Sequence, residues 1–292
     1  KRSQQVDRAL TQVLPKRTSL PPKLDDAMRY SLFSGGKRIR PILALASGEA
    51  VGAPVAHIMP FACALEMIHS YSLVHDDLPA MDDDDLRRGK PTNHVVFGEA
   101  MAILAGDGLL TEAFRVMAEG ALRRGQNPAA ALRAVQEIAA GAGAMGMVGG
   151  QVADLEAEQK KPTRTLVDYI HTRKTAALLR ASVRAGALVG GASPRQFARL
   201  DEYGAAIGLA FQVADDILDV EGETAKTGKR AGRDAELQKV TYPAAVGMTK
   251  AKARARELLD EALTALKSFP VAAEPWREIA KFVVERAVQP SA

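Results

Sequence analysis

The chain has 292 residues, of which 47% are hydrophobic and 25% charged, and 39 Lys and Arg against 35 Asp and Glu give a formal net charge of +4. These proportions are typical of a globular protein and exclude a disordered or collagen-like chain. Only 5% of the residues are aromatic, which favours a helical core over a β-sandwich or barrel. The single cysteine, Cys63, excludes an internal disulfide and a cysteine-based metal site, and it is typical of a reducing compartment, so a cytoplasmic location is expected.

Composition also argues against two kinds of partner. No uncharged apolar run approaches the roughly 20 residues that a membrane span needs, so no membrane span is expected. Lys and Arg are spread along the chain without interleaved aromatic residues. The small basic excess therefore does not indicate a nucleic-acid surface, and no nucleic-acid partner is expected.

Apolar residues recur with helical spacing in almost every stretch between turn signals. Asn127-Pro128 and Ser193-Pro194 each pair an N-cap residue with a proline at the first helical position. In chain order, the predicted helical segments are 22–33, 42–50, 61–75, 165–189, 195–220, 249–267 and 274–288. A loop is predicted from Gly222 to Asp234, and no alternating run predicts a strand. The sequence therefore predicts an all-α fold, a single domain over 1–292 built as a large bundle of about ten or more mostly antiparallel helices around a deep central cavity.

The acidic residues are unevenly distributed. Asp76, Asp77 and Asp82 belong to a first cluster of aspartates, and a second cluster contains Asp215, Asp216 and Asp219. Each cluster follows an apolar helix, and Asp215 and Asp219 are four residues apart, so their carboxylates share a helix face. Like charges at the negative end of a helix destabilise it unless a cation offsets them. Carboxylates without cysteine suit Mg²⁺, which shares its shell with substrate phosphates, so the clusters predict a magnesium site.

Two other phosphate or metal motifs are excluded by spacing. A calcium loop that starts at Asp82 would need glycine at its sixth position and glutamate at its twelfth, where this chain has Arg87 and Asn93. A nucleotide-binding P-loop at 222–229 has the wrong spacing, and Arg230 stands where Ser or Thr is required.

Basic residues accompany the acidic clusters. Lys37 and Arg40 follow the glycine pair at 35–36, and Arg87-Arg88 directly follows the first acidic cluster. Arginine matches phosphate oxygens in bidentate geometry and lysine acts as a point charge. Further lysines flank the second cluster at Lys174, Lys229 and Lys239. This set predicts two phosphorylated substrates, one held through metal and one held directly by Lys and Arg.

Five motifs, in the same order, resemble those of the trans-isoprenyl diphosphate synthases. Residues 75–92, HDDLPAMDDDDLRRGKPT, are similar to the first aspartate-rich motif of that family, and residues 211–219, FQVADDILD, are similar to the second. The segments 35–41, 174–175 and 228–230 also match. The resemblance covers essentially the whole chain and implies an all-helical homodimer in which the two aspartate motifs face each other across a cavity.

The resemblance also implies a role for each motif residue. A cluster of three Mg²⁺ ions would be bound by Asp76, Asp82 and Asp215, with Asp77, Asp216 and Asp219 in the same metal site. The allylic diphosphate would be held by Arg87, Lys174 and Lys229, and Lys239 is also assigned to substrate binding. Isopentenyl diphosphate would be held by Lys37, Arg40, His69 and Arg88. Thr175 and Gln212 would offer oxygen dipoles to the allylic cation, and the released diphosphate would take the proton. His69 as a general base is the alternative to His69 as a hydrogen-bonding group.

Product length in the family is implied by the residues before the first motif. Tyr71 lies five residues before Asp76, about 7.5 Å along a helix, so its ring would floor the cavity. An aromatic residue there goes with farnesyl diphosphate as the product. The next residue, Ser72, is small, so Tyr71 would be the one bulky residue at the floor of the cavity. Geranylgeranyl diphosphate, which is longer, therefore remains the alternative product. At the C-terminal end Arg286 matches an arginine that can close over the site, although Ala287 replaces the polar or acidic residue that often follows.

The expected activity is thus a magnesium-dependent head-to-tail condensation of isopentenyl diphosphate with dimethylallyl or geranyl diphosphate. A terpene cyclase would replace the second aspartate motif and lack the pocket of Lys37 and Arg40. A head-to-head synthase would carry Asp-x-x-Glu-Asp at both positions. A non-catalytic regulatory subunit, the alternative from a different class, would usually have lost one aspartate motif, and this chain retains both.

Overall fold

The structure, a computed structural model, describes residues 2–123, 125–158, 160–221, 239–269 and 273–288. The prediction of an all-α fold is confirmed, with more than ten α-helices in these ranges. They are α1 (Arg2–Val13), α2 (Pro22–Leu32), α3 (Ile39–Ala50), α4 (Val55–Asp76), α5 (Asn93–Phe97), α6 (Glu99–Ala121), α7 (Pro128–Ala142), α8 (Met147–Ala157), α9 (Arg164–His171), α10 (Ala177–Val189), α11 (Pro194–Val220), α12 (Tyr242–Val246), α13 (Met248–Ala265) and α14 (Glu274–Val288). The predicted loop from Gly222 to Asp234 lies outside the described residues.

Both predicted proline-capped helix starts are confirmed. The Asn127 side chain accepts hydrogen bonds from the backbone of Ala129 and Ala130 at the start of α7. At the start of α11, Ser193 and Gln196 form a reciprocal capping box. These contacts satisfy backbone N–H groups that have no partner inside the helix, which is why the side chain that precedes the proline marks the boundary.

The predicted helix 165–189 contains an interruption. A π-helical turn, Thr172–Ala176, joins α9 to α10. Two glycines let neighbouring helices approach it, because a Cβ on Gly150 of α8 would lie 2.1 Å from the backbone nitrogen of Lys174, and one on Gly208 of α11 would lie 2.9 Å from the Cβ of Ala176. Single π-turns inside helices are frequent at functional sites, and this one carries two predicted site residues.

A short hairpin follows the first aspartate motif, where the sequence predicted no strand. Strands β1 (Leu86–Arg87) and β2 (Lys90–Pro91) pair antiparallel. The connecting residues, Arg88 and Gly89, both have positive φ, 54° and 74°, which is the requirement of a two-residue type I′ turn. The prediction was wrong here because strands of two residues are too short to show an alternating pattern.

Two large buried apolar clusters form most of the core in the described part of the chain, beside a small third one at Val74, Leu78 and Ala102. One contains the buried faces of α11, α13 and α14, and the other those of α4, α6 and α7. Helices α3 and α10 lie between them and contribute to both, for example through Leu43 and Leu179 on one side and Leu45 and Leu178 on the other. The clusters therefore meet through these two helices, and the prediction of one domain over 1–292 stays a prediction.

The C-terminal helix is fixed to α11 by an aromatic pair. The rings of Tyr203 and Trp276 meet edge to face at 4.5 Å, and the Tyr203 hydroxyl donates to the backbone oxygen of Trp276 at 3.0 Å. Edge-to-face geometry and a satisfied hydroxyl make such a buried pair stabilising. This contact sets where the far end of α14, which carries Arg286, lies relative to the second aspartate motif.

Among the described residues, no helix is both long enough and apolar enough to cross a membrane.

Candidate active site

A cavity of about 1090 Å³ collects residues from many of the predicted motifs. Its lining contains the predicted site residues Lys37, Arg40, His69, Tyr71, Ser72, Asp76, Asp82, Arg87, Arg88, Lys174, Thr175, Gln212, Asp215, Asp216 and Lys239. Asp77 and Asp219 do not line it, and Lys229 lies outside the described residues. Residues more than 150 positions apart in the chain thus share one cavity, as expected from the paired motifs.

The first aspartate motif folds back on itself after α4 ends. The backbone N–H of Asp82 donates to the backbone oxygen of Asp76 at 2.9 Å, and both side chains line the cavity. Pro79 stands three residues after the end of α4, and proline cannot continue a helix, so the chain turns back there and Asp82 rejoins Asp76. Burial, opposed by Lys174 and reinforced by Asp82, raises the pKa of Asp76 to about 6.

Asp77 is directed away from the cavity. Its Oδ1 accepts a hydrogen bond from Arg87 Nε at 2.6 Å, and the residue is 3% exposed. Burial raises the pKa of Asp77, against the opposing effect of Arg87. The pair therefore fixes the Arg87 side chain at the cavity wall, and Asp77 acts on the site through that arginine.

The two cavity-lining aspartates of the second motif have different surroundings. Asp215 is partly exposed, and its Oδ1 lies 3.8 Å from Arg286 Nη2 of α14. Asp216 is 3% exposed and accepts hydrogen bonds from Gln212 Nε2 at 2.9 Å and from the Tyr242 backbone at 2.7 Å. Asp215 is thus available to a ligand in the cavity, whereas Asp216 is engaged by the protein.

Arg286 lies where α14 reaches the cavity. Its guanidinium is 5.4 Å from the centroid of the Phe211 ring, and Nη2 is buried without a hydrogen-bond partner. Burial lowers the pKa of Arg286, and Asp215 opposes that shift. The nearest anion in the described residues, Asp215, is 3.8 Å from Nη2 and too far to accept a hydrogen bond. A buried guanidinium nitrogen without an acceptor is costly, so this residue suits a bound phosphate group.

The donor set suits Mg²⁺ held together with a substrate. Within the described ranges, no three His, Cys, Asp or Glu side chains converge closely enough to hold an ion by themselves. Mg²⁺ commonly takes one or two carboxylates and completes its shell with waters and substrate phosphates. The carboxylates of Asp76, Asp82 and Asp215, which line one cavity without a cysteine, fit that pattern.

A basic pocket forms around the glycine pair. A Cβ on Gly36 would lie 2.7 Å from the Arg88 guanidinium, and Arg88 Nη1 donates to the Gly35 backbone oxygen. Gly35 and Gly36 have φ of 95° and 126°, so only glycine allows the loop to wrap the arginine so closely. The type I′ turn of the hairpin and the glycine loop therefore position Arg88 together.

Burial and neighbouring cations lower the pKa of two side chains in this pocket. Burial lowers the pKa of Arg40 to about 10, opposed by Glu66 and reinforced by Arg88. Burial and the charges of Arg40 and Arg88 hold the pKa of His69 well below its usual value. A histidine with so low a pKa is a poor acceptor for a substrate proton, so the hydrogen-bonding role of His69 is favoured over the general base.

Sequence reasoning missed a buried ion network behind this pocket. Arg38, in the left-handed conformation with φ 53°, donates to Glu66 Oε1 at 2.6 Å and Asp7 Oδ1 at 2.9 Å. The side chains of Arg38 and Glu66 are 2% and 3% exposed. The pair fixes the start of α3, which carries Arg40. Glutamate inside the apolar segment 61–75 was the signal that could have found it.

Asp154 was also missed. Its Oδ2 accepts hydrogen bonds from Lys174 Nζ and, at 3.5 Å, from Lys239 Nζ. Lys239 Nζ also donates to Asp82 Oδ1 at 3.0 Å. One carboxylate on α8 therefore helps to hold two predicted substrate lysines beside the first aspartate motif. Gln151 lies three residues earlier and also lines the cavity, so the helical spacing of these two polar residues was the available signal.

Tyr71 of α4 belongs to the wall of the cavity. Tyr71 is 8% exposed, and its ring meets that of His75 edge to face at 5.7 Å. The adjacent Ser72 hydroxyl donates to the His69 backbone oxygen at 2.9 Å. A buried ring beside the first motif limits the space in the cavity at this position.

Comparisons with known proteins agree with this geometry. The profile of the polyprenyl synthetase family matches residues 21–273. A farnesyl diphosphate synthase of Geobacillus stearothermophilus is 55% identical over 249 residues, which are 85% of this chain and 83% of that protein. The large subunit 1 of a heterodimeric geranylgeranyl pyrophosphate synthase of Arabidopsis thaliana is 48% identical over 90% of this chain and 71% of that protein. The crystal structure of geranylgeranyl pyrophosphate synthetase from Pyrococcus horikoshii superposes with a TM-score of 0.86 at 32% identity, covering 97% of this chain and 95% of that one. The family profile, the relatives and the shared fold agree, and the chain belongs to the polyprenyl synthetase family.

Proposed function

We propose that this chain catalyses the magnesium-dependent head-to-tail condensation of isopentenyl diphosphate with dimethylallyl and geranyl diphosphate to give farnesyl diphosphate. The observation that carries the proposal is the single cavity lined by carboxylates of both aspartate motifs, two sets of cationic side chains and the Tyr71 ring. Relatives at 55% and 49% identity are farnesyl diphosphate synthases, which supports the same product.

The allylic substrate is assigned to the side of the cavity that carries the aspartate motifs. Asp76, Asp82 and Asp215 would hold three Mg²⁺ ions, and Asp219 is assigned to support them. Bound Mg²⁺ would neutralise charge on a leaving diphosphate. Lys174, Arg87 and Lys239 supply fixed positive charge beside these carboxylates, and Lys229 is assigned to the same diphosphate. Preorganised cations of this kind stabilise the charge that develops as the allylic carbon–oxygen bond breaks.

Isopentenyl diphosphate is assigned to the basic pocket. Lys37, Arg40, His69 and Arg88 bind its diphosphate, and its double bond attacks the allylic cation to form the new carbon–carbon bond. Thr175 and Gln212, which line the cavity, present oxygen atoms to that cation. The proton is assigned to the released diphosphate, and the low pKa of His69 argues against that residue as the acceptor.

We also propose that the protein is a homodimer. Helix α6 carries Ile103 and Leu104, which are 44% and 54% exposed, and α8 carries Val148 and Val152 at 45% and 51%. Ile103, Val148 and Val152 also line the cavity. Large apolar side chains that are exposed around one cavity commonly mark a protein interface. The cytoplasmic location stays a prediction.

The direct test is incubation of the purified protein with isopentenyl diphosphate, geranyl diphosphate and Mg²⁺, with product length measured by mass spectrometry. We expect a fifteen-carbon diphosphate, and none when EDTA replaces Mg²⁺. A twenty-carbon product would instead support the geranylgeranyl alternative. Folded protein that condenses nothing would overturn the proposal and favour the non-catalytic subunit.

A further inference from the structure

A chain of hydrogen bonds links the cavity wall to the second aspartate motif. Thr175 Oγ1 donates to Gln212 Oε1 at 2.7 Å, and Gln212 Nε2 donates to Asp216 Oδ1 at 2.9 Å. Thr175 belongs to the π-turn and the other two residues to α11, where they are four positions apart on one face. All three line the cavity.

Asp216, at the inner end of this chain, is held in place by two other segments. Its Oδ2 accepts the backbone N–H of Tyr242 at 2.7 Å and lies 3.2 Å from Nε2 of His171. The side chain is 3% exposed. The Tyr242 donor is a backbone group and cannot reverse, so the oxygen that faces it must be an acceptor.

The arrangement fixes the direction of every dipole in the chain. An ionised carboxylate only accepts hydrogen bonds, so Gln212 must turn its NH₂ group to Asp216 and its oxygen to Thr175. The Thr175 hydroxyl then donates its only hydrogen to the Gln212 side-chain oxygen. Lone pairs of both oxygens are left for the cavity, and the negative ends of two dipoles face it.

We propose that Asp216 is a positioning residue that sets the polarity of the Gln212–Thr175 pair toward the allylic cation, and that it is not a ligand of the metal. This inference rests on the proposed function, in which these oxygens face the cation. It replaces the expectation that Asp216 shares the metal site with Asp215. Its carboxylate is engaged by Gln212, Tyr242 and His171, whereas that of Asp215 is more exposed.

Asp216→Asn is the informative variant because asparagine has nearly the same shape as aspartate but reverses the donor and acceptor direction of each hydrogen bond between Asp216, Gln212 and Thr175. The fixed N–H of Tyr242 requires the asparagine oxygen on its side, so the asparagine NH₂ faces Gln212. Gln212 must then turn its oxygen inward and its NH₂ to Thr175, whose hydroxyl hydrogen swings to the cavity. Positive dipole ends would face the cation.

The experiment combines steady-state kinetics with a double-mutant cycle. We expect Asp216→Asn to lower kcat about 100- to 1000-fold, the order seen when one preorganised dipole of an active site is lost, with the half-saturating Mg²⁺ concentration changed less than about twofold. In a Gln212→Ala background the same substitution should lower kcat less than about twofold, since its effect on the reaction passes through Gln212. Asp215→Asn is the matched control and should raise the Mg²⁺ requirement.

Two results would overturn the inference: a Mg²⁺ requirement raised as much by Asp216→Asn as by Asp215→Asn, or an equal loss of kcat in both backgrounds. An inactive wild type would instead defeat the proposed function. If Asp216→Asn does not fold, a crystal structure of the wild type with Mg²⁺ and inorganic diphosphate decides. Asp216 oxygens at the 2.0–2.1 Å of a Mg²⁺ ligand would contradict the inference, and an Asp216 carboxylate still bonded to Gln212 would support it.

Discussion

At the scale of single residues, adjacent aspartates of one motif have different side-chain surroundings. Asp76 lines the cavity, whereas Asp77 does not and accepts a hydrogen bond from Arg87. Asp215 and Asp216 both line the cavity, but Asp216 accepts a hydrogen bond from Gln212. Consecutive residues of a helix point in directions about 100° apart, so of two adjacent aspartates one carboxylate can stay open to a ligand while the other is bonded to the protein.

The first prediction concerns the cavity-facing aspartates. Asp76→Ala and Asp215→Ala should each lower kcat by roughly 100-fold or more, because each removes a carboxylate assigned to the metal cluster. Asp85→Ala is the control, since Asp85 belongs to the same acidic run but is exposed and does not line the cavity. Steady-state turnover of geranyl diphosphate measures the effect. A loss of less than about fivefold in either variant would remove that residue from the metal site.

The second prediction concerns Tyr71. Tyr71→Ala removes a ring that is 8% exposed and lines the cavity, so the product should lengthen by one or more five-carbon units. Tyr71→Phe keeps the ring and should leave the fifteen-carbon product unchanged. Mass spectrometry of the dephosphorylated products distinguishes the lengths. An unchanged product from Tyr71→Ala would place the floor of the cavity elsewhere.

At the scale of elements, the π-turn is the clearest case in which packing overrides local sequence. Thr172–Ala176 reads as ordinary helix, yet α8 and α11 approach it through Gly150 and Gly208. The widened turn lies against both helices and carries Lys174 and Thr175 into the cavity. Local periodicity contains no signal for this, because the cause lies in two helices that are distant in the chain.

Helices α10 and α11 are also joined by an ion cluster. Asp201 of α11 accepts hydrogen bonds from Arg180 and Arg184 of α10 at 2.5–3.0 Å. Burial alone would raise the pKa of Asp201, but these arginines lower it from 3.8 to about 2. A lowered folded-state pKa means that the carboxylate stabilises the fold above the unfolded-state pKa and loses that contribution as the pH falls through the folded-state value.

The third prediction follows from that shift. Asp201→Asn should lower the free energy of unfolding by about 1 to 2 kcal/mol at neutral pH, allowing for the partial exposure of the arginines. The difference from wild type should shrink as the pH falls from about 4 to about 2. Urea unfolding at several pH values measures it, with the exposed Asp260→Asn as control. A difference that is independent of pH would show that the ion cluster is not the cause.

At the scale of the whole molecule, the cavity is continuous with an exposed apolar surface. Ile103, Val148 and Val152 are each more than 40% exposed and also line the cavity. A second copy packed on α6 and α8 would cover these side chains and would border the cavity on that side. The proposed dimer would therefore stabilise the protein by covering these apolar side chains, and it would complete one wall of the cavity.

The fourth prediction tests that assembly. Leu104→Arg places a charge on the proposed interface at a residue that is 54% exposed and outside the cavity lining. Burial of an unpaired charge is costly, so the protein should become monomeric in sedimentation velocity. Leu122→Arg, at the far end of α6 and 83% exposed, is the control and should leave the dimer intact. A wild type that sediments as a monomer would contradict the proposed dimer.

The sequence alone determined the helical class, the starts of α7 and α11, and the two aspartate motifs with their basic partners. These depend on local properties: apolar spacing, capping residues such as Asn127 and Ser193, and the chemistry of charged clusters. Only the tertiary structure decided which aspartates face the cavity, that Asp154 joins Lys174 and Lys239, and that Gln212 turns its oxygen toward Thr175. Those outcomes depend on which side chains meet after distant helices pack, and one sequence shows the donors and acceptors but not their pairing.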